Sequence, residues 1–139
     1  LAEKISGSVI LTGSASERAA VDDMACRMKS NGLDSISLAG RTSIGQTMAV
    51  IEKASLVVAN DSAPMHMAVG YGRPMVGLFG PTDPAEVGPY GRDDAVIRPE
   101  NAVGSGRDYR MPGPESGSMF DMEVELVLDK ALLQLKGRS

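Results

Sequence analysis

The sequence predicts an α/β protein in which a parallel sheet is flanked by helices. Short apolar runs alternate along the chain with longer stretches whose apolar residues recur at helical spacing. Two of the apolar runs lack the polar alternation of a half-exposed strand, which is typical of parallel strands covered on both faces. Polar turns rich in Gly and Pro separate the segments at intervals suited to βαβ crossovers. These observations together favour one parallel sheet.

Composition and charge narrow the class of protein. A chain of 139 residues predicts one domain, and 42% apolar with 23% charged residues is ordinary for a soluble globular protein. No apolar stretch approaches the roughly 18–20 residues of a membrane-spanning helix. The net charge of −4 argues against nucleic acid as a partner, because phosphate-backbone binding draws on clustered Lys and Arg. The single cysteine, Cys26, excludes an intrachain disulfide.

The first half of the chain predicts two strand–helix units. Strands are expected at residues 8–11 and 36–38, where short apolar runs stand between polar turns. Ser16 suits the N-cap of the helix after the first strand, and Gly32 suits its C-terminal end. Ser43 then caps a second helix with an apolar inner face.

The second half predicts three more strands and two helices. The runs at residues 56–59 and 74–79 are expected to be strands buried on both faces, and 95–97 a short final strand. Residues 98–120 are dominated by Gly, Pro, Ser and charged residues, so we expect a long and partly disordered loop. Asp121 can cap the last helix.

The turn after the third strand has the features of a phosphate site. Ser62 can cap the next helix through its side chain, and Pro64 lies in the first turn, where a missing N–H costs nothing. Such a helix start attracts anions through its free N–H groups and about half a positive charge. His66 falls one turn inside. The alternative is a plain capped helix, since strand, turn and helix describe many unrelated α/β units.

A second polar loop is expected beside the first. The run at 74–79 leads into Gly80-Pro81-Thr82-Asp83-Pro84, a rigid turn with polar donors. Adjacent parallel strands deliver their loops to the same carboxyl edge, where open sheets hold their ligands. Thr82 and Asp83 could therefore meet a ligand or a partner domain. The alternative is a rigid Pro-flanked turn without a binding role.

Several motifs resemble one known family. The sequence is similar over roughly residues 9–98 to the ADP-heptose:lipopolysaccharide heptosyltransferases of glycosyltransferase family 9. The resemblance rests on these runs: Ser37-Leu38-Ala39-Gly40-Arg41-Thr42-Ser43, Asp61-Ser62-Ala63-Pro64-Met65-His66, Gly72-Arg73-Pro74, Leu78-Phe79-Gly80-Pro81-Thr82-Asp83-Pro84 and Gly88-Pro89-Tyr90-Gly91. It implies a Rossmann-like fold, the C-terminal, nucleotide-sugar-binding domain of a two-domain GT-B enzyme. On this interpretation residues 1–139 are a single domain and a fragment of a longer chain.

The resemblance also assigns roles to individual residues. It implies a site for the nucleotide and its diphosphate at Glu17, Asp61, Ser62, Ala63, Pro64, Met65 and His66, with Gly13, Thr82 and Asp83 as a possible ligand loop. Glu17 would meet the nucleoside, where a carboxylate can accept from two ribose hydroxyls. The alternatives without a binding role are a first-turn Glu17 favoured by the helix dipole, an Asx turn at Asp61 and a hydrogen-bonded structural histidine at His66.

The implied reaction is inverting and metal-independent transfer of a sugar from a nucleotide sugar, with ADP as the expected nucleotide. The family's catalytic base lies in the amino-terminal domain, so no catalytic residue, metal ligand or cofactor is expected here. The fragment alone should be inactive. Its partners would be the donor and, through the missing domain, a lipid-linked saccharide acceptor of the lipopolysaccharide core or a related glycan. The resemblance implies a cytoplasmic enzyme, peripheral at the inner membrane when full-length.

Two other classes of function stay open at this stage. The first is a nucleotide-binding regulatory or interaction domain without chemistry. It lacks support from a Gly-x-Gly-x-x-Gly fingerprint, because Gly13-Ser14-Ala15 stands where those glycines should follow the first strand. The second is a domain that keeps the fold but not the ligand, which the intact turn around Ser62 disfavours.

Overall fold

Strands and helices alternate along the chain as expected. A computed structural model describes residues 7–99, 119 and 122–137. Its elements, in order, are β1 (Val9–Leu11), α1 (Arg18–Ser30), β2 (Ser35–Ser37), α2 (Ile44–Lys53), β3 (Val57–Asn60), α3 (Ala63–Gly70), β4 (Met75–Leu78), α4 (Pro84–Val87), β5 (Val96–Ile97) and α5 (Val124–Lys136). The α/β class is confirmed. Most of the loop predicted at 98–120, and the cap predicted at Asp121, lie outside the described residues.

The strands form two parallel sheets and not the single sheet that the sequence predicts. β1 pairs with β2, and β3, β4 and β5 pair in that order, with β4 in the middle. The chain also divides into two compact units, Leu1–Ala49 and Val50–Ser139, with one sheet in each. The apolar pattern identified the strands, but it carries no information on which strands share hydrogen bonds.

Side-chain hydrogen bonds fix the helices of the first unit. Ser35 on β2 is fully buried, and its hydroxyl donates to the backbone oxygen of Ala25 on α1 (2.9 Å). α2 begins with a capping box: the Gln46 N–H donates to Ser43 Oγ (3.3 Å), and the Ser43 N–H donates to Gln46 Oε1 (2.9 Å). The predicted cap at Ser43 is confirmed. Glu17 occupies the N-cap position of α1, so the cap predicted at Ser16 is wrong.

One face of the second sheet packs against α3 and the end of α2. This cluster of buried side chains consists of Ile51, Met65, Ala68, Met75, Phe79 and Ala95. Gly77 on β4 makes room for α3, because a Cβ at that position would lie 3.1 Å from the Met65 sulfur. A side chain at residue 77 would therefore require Met65 to move by a few tenths of an ångström.

The other face of this sheet packs against α5. Val76, Ile97 and Ala131 form its buried cluster. β4 is covered on both faces, since Met75 and Val76 point to opposite sides and neither is exposed, so that part of the prediction is confirmed. β3 is different. Burial alternates along it, with Val57 and Ala59 partly buried and Val58 43% exposed, so the prediction of burial on both faces is wrong for this strand.

A polar network attaches α5 to the turn before β5. The Gln134 amide donates to Asp94 Oδ2 (2.7 Å), and the Lys130 Nζ donates to the Asp94 backbone oxygen (2.9 Å). The Arg92 guanidinium donates to both Asp94 (3.2 Å) and the Gln134 side chain. The Gln134 amide, followed by Arg92, holds the pKa of Asp94 below its ordinary value of 3.8 against the opposing effect of desolvation.

This network predicts a loss of stability in acid that Asp94→Asn removes. Because the folded-state pKa of Asp94 lies below the unfolded value, its contribution is fully present above about pH 4 and is lost as the pH falls through the folded pKa. The carboxylate side chain is 61% exposed, so the contribution at pH 7 is at most about 1 kcal/mol. Urea unfolding between pH 7 and pH 2.5 measures it. Asp93→Asn is the matched control, and an equal pH dependence in the Asp94→Asn and control proteins would contradict the prediction.

Candidate functional site

The turn between β3 and α3 holds a backbone donor that has no partner among the described residues. Ser62 is the N-cap residue in an extended conformation (φ −161°, ψ 165°), and α3 begins at Ala63. Pro64 has no N–H, and the Met65 N–H donates to the Ser62 backbone oxygen (3.0 Å). No described residue accepts from the Ala63 N–H. Of the helical residues 63–65, Ala63 alone therefore offers a hydrogen to a ligand.

The Ser62 side chain does not cap the helix, and that prediction is wrong. Its hydroxyl instead lies against Asn60, with Oγ 2.9 Å from Asn60 Oδ1 and 3.1 Å from the Asn60 backbone oxygen. A hydroxyl has one hydrogen, so this hydrogen is already used within the turn. A phosphate oxygen would have to compete with Asn60 for it.

Met65 and His66 are neighbours on α3 that differ in exposure to solvent. The Met65 side chain is fully buried in the core, so we assign Met65 to packing and not to the ligand. His66 is exposed, and no described residue hydrogen-bonds to its ring. The structure therefore gives no support to the alternative of a hydrogen-bonded structural histidine.

The remaining polar residues of this edge have different surroundings. Asp61 is partly buried and makes no hydrogen bond to a described residue, so the Asx turn considered for it is absent. Parallel pairing of β3 with β4 brings the loop containing Thr82 and Asp83 to the same edge as Asp61. Asp83 caps α4 by accepting from the Ala85 N–H (3.0 Å), a helix that the sequence analysis missed although Asp-Pro is a common helix start. Thr82 is partly buried.

Gly13 and Glu17 belong to the first unit. Glu17 Oε2 accepts from the Ser14 N–H (2.7 Å) and from the Ser14 hydroxyl (2.6 Å). These two bonds lower the pKa of Glu17, the side-chain bond having the larger effect, and they keep the exposed carboxylate ionised. Oε1 makes no bond to a described residue. The Gly13 backbone oxygen accepts from the Gly40 N–H (2.9 Å).

Sequence reasoning missed Ser14, although its spacing carried a signal. A serine three residues before a glutamate at a helix start can close a short loop through its side chain and backbone. The consequence is a carboxylate with one oxygen held by the loop and one oxygen facing solvent. A diol hydroxyl could donate to the second oxygen without displacing the first pair of bonds.

Two properties of the described part of the chain concern metals and membranes. Within residues 7–99, 119 and 122–137, no three His, Cys, Asp or Glu side chains group as metal ligands would. The same residues contain no helix of the length and apolar character that crossing a membrane requires.

Comparison with known proteins gives consistent matches. The model of glycosyltransferase family 9 (heptosyltransferase) matches residues 2–111. Lipooligosaccharide heptosyltransferase 2 of Haemophilus influenzae is 32% identical over 96 residues, which are 68% of this chain and 28% of the relative. A family 9 glycosyl transferase from Veillonella parvula superimposes with a TM-score of 0.76 at 24% identity, over 92% of this chain and 36% of that one. ADP-heptose lps heptosyltransferase II of E. coli gives a TM-score of 0.69 at 24% identity, over 94% and 37%.

The parallel sheets flanked by helices, together with these structural likenesses, define a fold of the GT-B glycosyltransferase type. Because the family model matches well over half of the sequence, the chain belongs to glycosyltransferase family 9, the heptosyltransferases. The chain spans only about a third of the solved proteins and 28% of the Haemophilus enzyme.

The position of the Ser62 hydroxyl predicts a small cost for Ser62→Ala. The substitution removes a bond to Asn60 and leaves the start of α3 unchanged, so the free energy of unfolding should fall by about 0.5–1 kcal/mol. Ser43→Ala is the matched comparison, because there the hydroxyl does cap a helix, and it should cost about 1–2 kcal/mol. Denaturant unfolding of both variants gives the order. A larger loss for Ser62→Ala would contradict the assignment.

Proposed function

We propose that this chain is the donor-binding part of a glycosyltransferase that transfers a sugar from an ADP-linked, heptose-type donor. The family membership supports the transferase, and the short share of each relative that the chain spans supports a part of a longer enzyme. The observation that carries the proposal is the Ala63 N–H at the start of an eight-residue helix, from which no described residue accepts a hydrogen bond.

A backbone donor suits a diphosphate in a protein of this charge. The chain carries a net charge of −4, so long-range attraction from its side chains does not favour an anion. The positive end of the α3 dipole and the Ala63 N–H supply a local attraction that needs no cationic side chain. The exposed His66 ring, one turn along the same helix, can add a donor to a phosphate oxygen.

Two carboxylates, Glu17 in the first unit and Asp61 in the second, suit hydroxyl groups better than phosphate. An ionised carboxylate only accepts hydrogen bonds, and it repels a phosphate oxygen. Glu17 Oε1 would accept from the ribose of the nucleoside. Asp61, partly buried and without a described partner, would accept from a hydroxyl of the transferred sugar.

The proposed catalytic contribution of this chain is to stabilise the diphosphate as it leaves. In an inverting transfer the acceptor hydroxyl attacks the anomeric carbon, the bond from that carbon to the diphosphate oxygen breaks, and negative charge grows on the diphosphate. Donors fixed at a helix start oppose that charge without reorganising, which lowers the barrier. The base that takes the acceptor proton would come from the rest of the enzyme. The proposed acceptor is a lipid-linked saccharide of lipopolysaccharide type, at the cytoplasmic face of the inner membrane.

Ala63→Pro should weaken ADP binding while leaving the fold intact. Proline is tolerated at the first helical position, and Ser62 already has the extended geometry that a following proline requires. Loss of a hydrogen bond to a charged oxygen costs about 1.5–3 kcal/mol, or roughly tenfold to a hundredfold in affinity. Titration calorimetry gives the affinity, and a thermal melt reports the fold.

Val124→Pro is the matched control for this measurement. It places proline at the first position of α5, after an extended Glu123, on a helix with no proposed ligand. The control should bind ADP as the parent chain does. Unchanged affinity in a folded Ala63→Pro protein would reject the diphosphate site and leave the turn as a plain helix start.

The chain alone should transfer no sugar, because the proposed base lies outside it. A radiolabelled ADP-heptose assay with a lipopolysaccharide acceptor tests this, with ADP-heptose lps heptosyltransferase II of E. coli run in parallel as the positive control. Turnover by the 139-residue chain would overturn the division of roles between binding and base.

A further inference from the structure

Asp22 lies in the second turn of α1, outside the loops that carry the proposed ligand contacts, and it joins three elements of the first unit. Its Oδ2 accepts from Arg41 Nη2 (2.9 Å) and lies 3.7 Å from Arg18 Nε. Its Oδ1 accepts from the Ser37 hydroxyl at the end of β2. One carboxylate thus connects α1 to the end of β2 and to the loop that follows it.

Arg41 is the cation of that loop, and it is used within the protein. Besides the bond to Asp22, its Nη1 donates to the Ser37 backbone oxygen (2.9 Å), so both terminal nitrogens bond inside the first unit. An arginine after a parallel strand would ordinarily be a candidate phosphate ligand. Here its two terminal nitrogens bond instead to Ser37 and Asp22, and these bonds hold the loop after β2 (residues 38–43, the β2 loop) in place.

The β2 loop in turn supports the loop after β1 (residues 12–17, the β1 loop) through close backbone contact. The Gly40 N–H donates to the Gly13 oxygen (2.9 Å), and a Cβ on Gly40 would lie 2.7 Å from the Ala15 Cα. Gly40 has a φ of +62°, which favours glycine independently of the contact. Ala15 lies between Ser14 and Glu17, so the β2 loop supports the segment in which Ser14 orients the Glu17 carboxylate.

We infer that Asp22 is a positioning residue for nucleoside binding: through Arg41 it holds the β2 loop, which holds the β1 loop and the Glu17 carboxylate. This inference rests on the proposed function, in which Glu17 accepts from the nucleoside. The Asp22 and Arg41 side chains are 38% and 42% exposed, so the pair contributes little to folding. By holding the two loops in place before binding, the pair reduces the conformational entropy that the protein loses when it binds the nucleoside.

The test separates the nucleoside from the diphosphate. Asp22→Ala should weaken the binding of adenosine by about threefold to tenfold, as expected for a coupled network, and leave the affinity for inorganic pyrophosphate unchanged. Affinities come from NMR titrations of the folded 139-residue chain, with a thermal melt for each variant. Asp23→Ala is the matched control, since among the described residues the side chain of this neighbour on α1 forms an ion pair with Arg27 alone, at 3.9 Å with both side chains largely exposed. It should change neither affinity.

A double-mutant cycle identifies the route from Asp22. If Asp22 acts through Arg41, the combined Asp22→Ala and Arg41→Ala protein should bind adenosine no more weakly than Arg41→Ala alone. A purely structural role would lower the melting temperature without such non-additive affinities. Equal adenosine affinity in the Asp22→Ala and parent proteins, or additive losses in the cycle, would overturn the inference. A parent chain that binds neither adenosine nor pyrophosphate would instead refute the proposed function.

Discussion

The parallel pairing of β4 with both β3 and β5 is the constraint on which the second unit depends. A strand paired on both edges and covered on both faces is largely shielded from solvent, which favours the apolar or absent side chains found along β4. α3 and α5 are then required as covers for the two faces. The same pairing sends the ends of β3 and β4 to one edge, and the turn at Ala63 lies there because the strands are parallel and neighbouring.

The sequence predicted the positions of most strands and helices well, because these depend on local patterns, although the side-chain caps expected at Ser16 and Ser62 were wrong. The apolar run around Val76, the capping box at Ser43 and the family motif around Ser62 each depend on neighbours within a few positions. The sheet arrangement and the exposure of Val58 depend on which strand stands beside which, and strand pairing is not a local property. The Val-Val-Ala-Asn sequence of β3 carries no charge or proline that would mark it as an end strand.

The hydrogen bonds around the start of α3 were harder to predict than the position of that start. The motif placed the helix start correctly, but the direction of one serine hydroxyl depends on two nearby acceptors at Asn60, and the available N–H depends on what its neighbours bond. The same applies to Glu17, whose free oxygen is defined by the loop bonds from Ser14. Residue types indicate which donors and acceptors a site can have. Which of them remain available to a ligand depends on the hydrogen bonds that they already make within the protein.

Gly77 connects the packing of the core to the position of α3. It lies on β4 beneath α3, against the sulfur of Met65, and Met65 is two residues along the helix from Ala63. A methyl group at residue 77 would have to be accommodated by a shift of a few tenths of an ångström in the Met65 side chain or in α3 itself. A shift of the helix would carry the Ala63 N–H with it. If the Ala63 N–H binds the diphosphate as proposed, a screen that scored only ligand affinity would then identify residue 77, although this residue lies in the core beneath the helix.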